Sequence, residues 1–332
     1  MKKRLVLALS MFAMVMTLMM PLASAAKKEH LMVYTSMKEV LIGEVRDAFV
    51  KKYPNIQFDY YSAGAGKLMA KIAAERQSGK IQTDVLWTSE VPDFYQLKQQ
   101  GVLLKYKPRG ANKLVSPVND PDYYFTPARL GTLGIAYNTN KIKTAPKTWD
   151  DLLKPEYKNG FGIANPALSG TSMVSVAMLV ENLGWGYIEK LRANGAKMGQ
   201  GSGQVVDDTA MGDLKACIGV DYITISKIKA GATMGFVYPD KLFVVPSPVA
   251  IMKDTKNAAT AKKFVDFLVS KQGQTIIAKS YTLPVRDDVE IAKGVGLIQP
   301  KEAVKRSFKL DYIKMIAEKE KIAEKFAAIM TK

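Results

Sequence analysis

The feature that most constrains the fold is the alternation of strand-like and helix-like segments along most of this 332-residue chain. Apolar runs predict strands at residues 31–34, 56–61 and 84–87, and a segment with helical spacing follows each of them. Strands that alternate with helices are typical of layered α/β structures rather than of helical bundles or β-sandwiches. The sequence therefore predicts an α/β fold.

Two longer strands are predicted in the second half of this pattern. Residues 129–138 form an apolar strand long enough to pass between domains, and residues 243–252 are apolar but contain Pro246 and Pro248. Because proline cannot donate a hydrogen bond to a sheet, the second segment is expected to be an edge or crossing strand. Without a low-complexity linker, the chain is expected to cross between two domains more than once.

Five short turns rich in serine, threonine and glycine lie where a strand-like run gives way to a helix-like one. A helix begins with free N–H groups and a partial positive charge, so small residues there let an anion approach closely. A single turn of this composition is an ordinary helix cap. Several together predict a site for a small polar or anionic ligand. They span residues 34–36, 62–66, 88–90, 169–172 and 201–204.

The N-terminus has the order of a secretory signal. Lys2, Lys3 and Arg4 precede an apolar run over residues 5–20, and residues 23–25 are the small residues Ala-Ser-Ala. We expect residues 1–25 to be cleaved and the mature protein to be periplasmic. A membrane anchor is the alternative, but the apolar run is short for a bilayer span.

The chain is basic, with a formal net charge of +17. The predicted signal holds three of the positive charges and no acidic residue, which leaves +14 on the mature chain. Such an excess attracts anionic ligands or an anionic membrane surface, but solubility is the simpler interpretation of it. The lysines are spread out, without the basic and aromatic clusters of a nucleic-acid interface, so no nucleic-acid partner is expected.

Cys217 is the only cysteine of the sequence, so no intramolecular disulfide is possible. Its neighbours are apolar and strand-like. We expect a buried structural thiol rather than a nucleophile.

Several blocks of sequence follow one another in an order typical of a known family. They are Val-Tyr-Thr-Ser at 33–36, Asp-Val-Leu-Trp at 84–87, Leu-Gly-Ile-Ala-Tyr-Asn-Thr at 133–139, Thr-Trp-Asp-Asp-Leu at 148–152 and Ala-Lys-Lys-Phe-Val-Asp-Phe-Leu at 261–268. Each block is weak alone. Together they resemble the extracellular solute-binding proteins of family 1, in the branch of ferric-iron-binding proteins and their relatives that bind hexose phosphate, phosphoglycerate or aminoethylphosphonate.

The resemblance implies a two-lobed periplasmic binding protein of type II, with two antiparallel hinge-crossing strands and a ligand cleft between the lobes. It implies a first lobe of residues 26–125 and 248–300, and a second of residues 126–247 and 301–332. It also implies a monomer without cofactor or enzymatic activity, which passes a small anionic solute to the membrane permease of an ABC importer.

The identity of the solute depends on residues that depart from the iron-binding pattern. Ferric-iron binders of this branch place a histidine after the first strand and a tyrosine pair in the second lobe, where phenolate oxygens suit a hard cation. This chain has Thr35-Ser36 and the single Tyr222 at those places, and its only histidine, His30, is expected at the surface. A phosphorylated or phosphonate-bearing organic solute, such as a sugar phosphate, is therefore predicted, with ferric iron or an iron–anion complex as the alternative.

Thirteen residues are predicted to bind the ligand, and none to bind a metal or to act in catalysis. Most would offer hydroxyl or backbone donors to an oxyanion. Asp221 and Tyr222 are expected to bind a hydroxyl or amine at the other end of the solute. The thirteen are Thr35, Ser36, Ser62, Gly64, Thr88, Ser89, Ser169, Gly170, Thr171, Ser202, Asp221, Tyr222 and Tyr238.

An exported hydrolase is the distant alternative. Ser169-Gly170-Thr171 offers hydroxyl groups, but a hydroxyl nucleophile normally needs an adjacent base. The only histidine, His30, is far away in sequence, which favours a binding protein.

Overall fold

The computed structural model describes residues 28–332, and its strands form one mixed sheet of ten strands. The predicted signal, residues 1–25, lies outside the described residues. The sheet order is β2-β1-β3-β10-β5-β8-β6-β7, with β4 paired to β10 and β9 paired to β5. The strands are β1 (Glu29–Thr35), β2 (Ile56–Ser62), β3 (Val85–Trp87), β4 (Leu103–Leu104), β5 (Thr126–Asn138), β6 (Phe161–Ala164), β7 (Lys197–Gly199), β8 (Ala216–Val220), β9 (Met234–Val237) and β10 (Phe243–Met252).

Helices cover this sheet and connect its parallel strands, as an α/β fold requires. They are α1 (Glu39–Lys52), α2 (Ala65–Gln77), α3 (Val91–Gln99), α4 (Gly170–Leu183), α5 (Trp185–Ala193), α6 (Ser202–Met211), α7 (Asp221–Lys229), α8 (Ala258–Val269), α9 (Lys271–Lys279), α10 (Pro300–Arg306) and α11 (Tyr312–Met330). In the part of the chain that the structure describes, no helix is both long enough and apolar enough to cross a bilayer.

The sheet has a parallel half on each side of an antiparallel centre. Strand β1 pairs in parallel with β2 and β3, and β6 pairs in parallel with β7 and β8. Strands β5 and β10 lie between these halves and pair with each other in antiparallel fashion. This is the two-lobed arrangement with two antiparallel crossing strands that the family resemblance implies.

Strand β10 is a crossing strand, which confirms one of the two expected alternatives, but it lies at the centre of the sheet and not at an edge. It pairs with β3 on one side and β5 on the other, so its prolines lie within the sheet. The register shifts between Ser247 and Pro248. A sheet tolerates proline at such an irregularity because the ladder of N–H donors is already interrupted there.

The long C-terminal helix α11 packs against elements on both sides of the crossing strands. It contacts α3, which follows β3, and also α4 and α5, which precede β8. Its buried side chains, including Met315, Ile322 and Phe326, belong to the largest apolar core. The helix therefore ties the two halves together away from the sheet.

Cys217 lies in β8 with no exposed surface, which confirms the expected buried thiol. Burial raises the pKa of this thiol to about 12. The group is therefore a neutral thiol at physiological pH and does not act as a thiolate nucleophile.

Candidate functional site

A polar cavity of about 410 Å³ lies where strands from both halves of the sheet end. Ser36 follows β1, Ser62 ends β2, Ser89 follows β3 and Val220 ends β8, and all four line the cavity. Open α/β sheets bind ligands in the crevice outside the carboxyl ends of their strands. The cavity is therefore the candidate binding site of this fold.

The first turns of several helices contribute to the cavity wall. Helix α2 begins there at Gly64-Ala65, α4 at Ser169-Gly170 and α6 at Gly201-Ser202, and Lys38 and Val220 precede α1 and α7. Each helix start presents backbone N–H groups and a partial positive charge. Their convergence provides donors for an oxyanion.

Three hydroxyl groups from α4 and α6 form a compact cluster on one wall. The Ser169 Oγ and Thr171 Oγ1 atoms are 3.0 Å apart, and Ser202 Oγ lies 2.8 Å from the former and 2.7 Å from the latter. Ser169 Oγ also accepts a hydrogen bond from the Ser172 N–H, so it caps α4 as well as lining the cavity. Capping of the helix therefore does not prevent this turn from binding a ligand.

The opposite wall holds three serines with fixed orientations. The Ser62 hydroxyl donates to the Met37 carbonyl (2.8 Å), and Ser36 Oγ accepts from the Ser89 N–H (3.1 Å). Ser89 Oγ lies 2.9 Å from Ser247 Oγ in strand β10. These bonds tie the cavity wall to the central strands.

The charge of the lining is positive. Lys38, Lys67 and Arg129 line the cavity, and no carboxylate or imidazole is among the described residues that line it. Lys38 and Lys67 are exposed, whereas Arg129 is 1% exposed. The described residues also contain no group of three or more His, Cys, Asp and Glu side chains placed to hold a metal ion. The lining favours an anionic ligand.

The two walls approach each other so closely that glycine is required on both of them. A methyl group on Gly64 would overlap the Leu168 carbonyl oxygen, and one on Gly66 would overlap that of Ala167. A methyl group on Gly170 would lie 2.7 Å from Glu90 Cβ. The Lys38 N–H also donates across the cavity to the Tyr222 hydroxyl (3.0 Å). The two walls are therefore in close contact beside the cavity.

A buried polar network lies beneath the cavity, around Arg129 and Asp221. Arg129 Nε donates to Ser247 Oγ (3.2 Å), and its guanidinium carbon lies 5.0 Å from the centre of the Tyr222 ring. Burial raises the pKa values of Asp221 and Tyr222, and the positive charge of Arg129 opposes both shifts. The phenol of Tyr222 is therefore held neutral.

Nine of the thirteen predicted residues line the cavity and four do not. Thr35 and Thr88 are fully buried, and Thr35 Oγ1 donates to the Trp87 carbonyl (2.8 Å). Asp221 accepts hydrogen bonds only from protein groups, and the Tyr238 hydroxyl lies 2.6 Å from Thr132 Oγ1. Thr35 is the last residue of β1 and faces away from the cavity, because successive side chains of a strand point to opposite faces. The nine are Ser36, Ser62, Gly64, Ser89, Ser169, Gly170, Thr171, Ser202 and Tyr222.

Sequence reasoning missed the three cationic residues of the lining and one of its two tyrosines. Lys38 and Lys67 stand beside turns that were recognised, so their position at a helix start was the available signal. Arg129 interrupts an apolar strand, and a buried arginine needs partners or a ligand. Tyr61 also lines the cavity, although it was not among the thirteen predicted residues.

Comparison with known proteins agrees with the two-lobed α/β fold and with a solute-binding protein. A family model described as "Bacterial extracellular solute-binding protein" matches residues 30–281. A Salmonella paratyphi A periplasmic protein, named for a proposed role in binding 2-aminoethylphosphonate, is 28% identical over 255 residues, 73% of each chain.

Two solved structures are also similar. The periplasmic binding protein AfuA from Actinobacillus pleuropneumoniae, with fructose-6-phosphate bound, has a TM-score of 0.80 at 23% identity and covers 91% of this chain and 98% of its own. Iron-bound HitA from Pseudomonas aeruginosa has a TM-score of 0.74 at 24% identity, over 90% and 99%. Both show the fold. Since the family model matches most of the chain, this protein belongs to the bacterial extracellular solute-binding proteins.

Proposed function

We propose that this protein captures a small phosphorylated or phosphonate-bearing organic solute, such as a sugar phosphate, in the cavity between its lobes. The observation that carries the proposal is the lining, which combines Lys38, Lys67 and Arg129 with helix starts and hydroxyl groups and includes no carboxylate among the described residues. Such a set of donors compensates a compact anion from several sides.

The relatives support this class of solute. The Salmonella relative is named for a role in binding 2-aminoethylphosphonate, and AfuA was solved with fructose-6-phosphate. The first has a phosphonate group and the second a phosphate group, and both groups present the same kind of oxyanion to N–H and O–H donors. The cavity of this chain contains those donors.

We propose that the solute is delivered to the membrane permease of an ABC importer and is not chemically altered. The family assignment supports a solute-binding role, and periplasmic relatives support export after cleavage near residue 25. In this proposal the protein is a monomer, with residues 26–125 and 248–300 as the first lobe and residues 126–247 and 301–332 as the second. Strands β5 and β10 support boundaries near residues 126 and 248, because both pass through the centre of the sheet.

Calorimetry on unfolded, dialysed and refolded protein tests the binding proposal, because the treatment removes solute retained from the host. The panel is glucose 6-phosphate, fructose 6-phosphate, 3-phosphoglycerate, 2-aminoethylphosphonate and inorganic phosphate, with glucose as the uncharged control. We expect saturable binding of at least one organic phosphate or phosphonate and none of glucose. Binding of glucose, or of no anion, would contradict the proposal.

Ferric iron is the second candidate because Tyr61 and Tyr222 both line the cavity. Burial raises the pKa of Tyr222 by more than Arg129 and the hydrogen bond from the Lys38 N–H lower it, and the raised pKa disfavours the phenolate that iron needs. We expect no tyrosinate absorption band when ferric citrate is added to the refolded protein. A stable coloured complex would favour iron instead.

The hydrolase alternative has a direct test. Ser169, Thr171 and Ser202 hydrogen-bond to one another, and no histidine or carboxylate lines the cavity among the described residues. We expect incubation with a bound phosphate ester to release no inorganic phosphate. Release that is lost on substitution of Ser169 or Thr171 would identify an enzyme.

A further inference from the structure

Asp221 lies directly beneath the cavity, but its carboxylate is fully engaged by the protein. Its Oδ2 atom accepts hydrogen bonds from the Thr132 N–H (2.9 Å), the Thr132 hydroxyl (2.9 Å) and the Thr282 hydroxyl (2.7 Å). Its Oδ1 atom accepts from the Tyr222 N–H (2.7 Å). The residue has no exposed surface.

Arg129 lies between this carboxylate and the cavity. Its guanidinium donates to Ser247, Thr282 and Ser89 at 3.2 to 3.4 Å, and Nη1 is 3.7 Å from Asp221 Oδ1. The last distance is too long for a hydrogen bond but places two unit charges side by side in a buried region. Asp221 therefore compensates Arg129 and shares Thr282 with it as a hydrogen-bond partner.

The neighbouring residue Gly131 leaves room for this arrangement. A methyl group added to Gly131 would lie 2.5 Å from Arg129 Nη2 and 3.3 Å from the Val245 carbonyl oxygen. The guanidinium thus occupies space that any other residue at position 131 would fill. Three neighbouring features, the carboxylate, the hydroxyl groups and this glycine, fix one position for the cation.

We propose that Asp221 is a positioning residue, which holds Arg129 and Tyr222 at the floor of the cavity and acts on a bound anion only through them. The inference rests on the proposed function, because it takes an anion to be the solute. It reverses the expectation that Asp221 binds an amine of the solute. With no carboxylate among the described lining residues, the site gains nothing from an ammonium group on the solute.

Matched pairs of ligands separate a positioning role from direct contact. Ethylphosphonate and 2-aminoethylphosphonate differ by one ammonium group, and glucose 6-phosphate and glucosamine 6-phosphate differ by an ammonium in place of a hydroxyl. We expect wild-type protein to bind the ammonium-free member of a pair at least as tightly. We expect Asp221→Asn to weaken both members by the same factor, about tenfold for the loss of a buried charged partner.

A larger loss for the ammonium-bearing member alone would overturn the inference and show that Asp221 contacts the solute. An unchanged Kd for both members would also overturn it. If wild-type protein binds no member of either pair and no other anion of the panel, the proposed function is wrong and the inference falls with it. The first two outcomes leave the proposed function intact.

Three further variants guard against a purely structural effect. Gly131→Ala displaces the guanidinium with Asp221 intact, so it should weaken both members equally even if Asp221→Asn does not fold.

In the Arg129→Lys background, Asp221→Asn should change Kd little further, whereas independent additive losses would contradict the coupling. Asp84→Asn removes another buried carboxylate, one that accepts from Met32 and Asn257 outside the cavity lining, and should lower stability without changing Kd.

Discussion

At the scale of single residues, the hydroxyl cluster of Ser169, Thr171 and Ser202 is the part of the cavity whose contribution is easiest to isolate. Replacing Thr171 with valine keeps the shape of the side chain and removes its hydroxyl. Since the variant loses one donor to the anion, we expect organic-phosphate affinity to fall about tenfold. Calorimetry measures the loss.

The control is Thr275→Val on helix α9, where the hydroxyl donates to the Lys271 carbonyl (2.7 Å) away from the cavity lining. We expect this variant to bind like the wild type. Equal affinity of Thr171→Val and wild-type protein would show that the hydroxyl cluster does not bind the anion.

The residues that sequence reasoning found and missed differ in a physical way. Serines and threonines at helix starts were predictable because capping and anion binding use the same residue types. Whether such a side chain faces the ligand depends on the rotation of the preceding strand, so Ser36 lines the cavity and its neighbour Thr35 does not. The place of Arg129 in the cavity could not be predicted, because its partners Ser89, Ser247 and Thr282 are brought together only by the tertiary fold.

At the scale of elements, the start of α2 determines how closely the two walls meet. A methyl group on Gly66 would overlap the Ala167 carbonyl oxygen. We expect Gly66→Ala to hold the cleft partly open and to weaken ligand binding by about tenfold or more, because the ligand would lose contacts with one wall. Calorimetry and thermal unfolding would be measured together.

Gly43→Ala in helix α1 is the matched control, since no heavy atom beyond the adjacent residues and the backbone of its own helix lies within 4 Å of the added methyl group. It should bind normally and be slightly more stable, because alanine favours helix over glycine. If Gly66→Ala binds like Gly43→Ala, the close approach of the walls has no role in affinity.

Helix α11 carries a second element-scale prediction through Lys319. Its Nζ atom lies 2.5 Å from Glu90 Oε1 and 2.7 Å from Asp93 Oδ1, two carboxylates that are almost fully buried at the start of α3. One lysine compensates two acids. Burial, with repulsion from Asp93, raises the pKa of Glu90 from its usual 4.5 to about 7.

The sign of the resulting pH dependence follows from the raised pKa of Glu90. The folded protein binds this proton more tightly than the unfolded chain, so the contribution of Glu90 to stability is largest below pH 4.5 and is lost as pH rises towards 7. We expect Glu90→Gln to flatten this part of the pH profile. Urea unfolding of both proteins at pH values of about 5 and about 7.5 measures the difference, and parallel profiles would contradict the assignment.

At the scale of the whole molecule, ligand binding should shift the population towards the closed form. A ligand that contacts both walls binds the closed form more tightly, and this difference in affinity drives closure. We expect the radius of gyration from small-angle X-ray scattering to fall when an organic phosphate that the protein binds is added. The Gly66→Ala variant should contract less, and equal contraction of both proteins would contradict the closure argument.

The architecture was more predictable than the site. The crossing strand at residues 243–252 was predicted with the bounds that the structure has, because an apolar run is a local signal. The central position of β10 was not predictable from its prolines, since a register shift at Ser247/Pro248 overrides their usual preference for an edge. Local patterns specify elements, whereas neighbours in the sheet depend on long-range pairing.

The burial of Cys217 has a practical consequence for measuring closure. The only native thiol is inaccessible and neutral, so thiol-reactive dyes should leave the folded wild-type protein unlabelled. A cysteine introduced at Val40, which is 44% exposed in a groove shared by Lys38 and Gly203, would then be the one reactive position. An environment-sensitive fluorophore attached there would turn the protein into a reagentless optical sensor for its own solute.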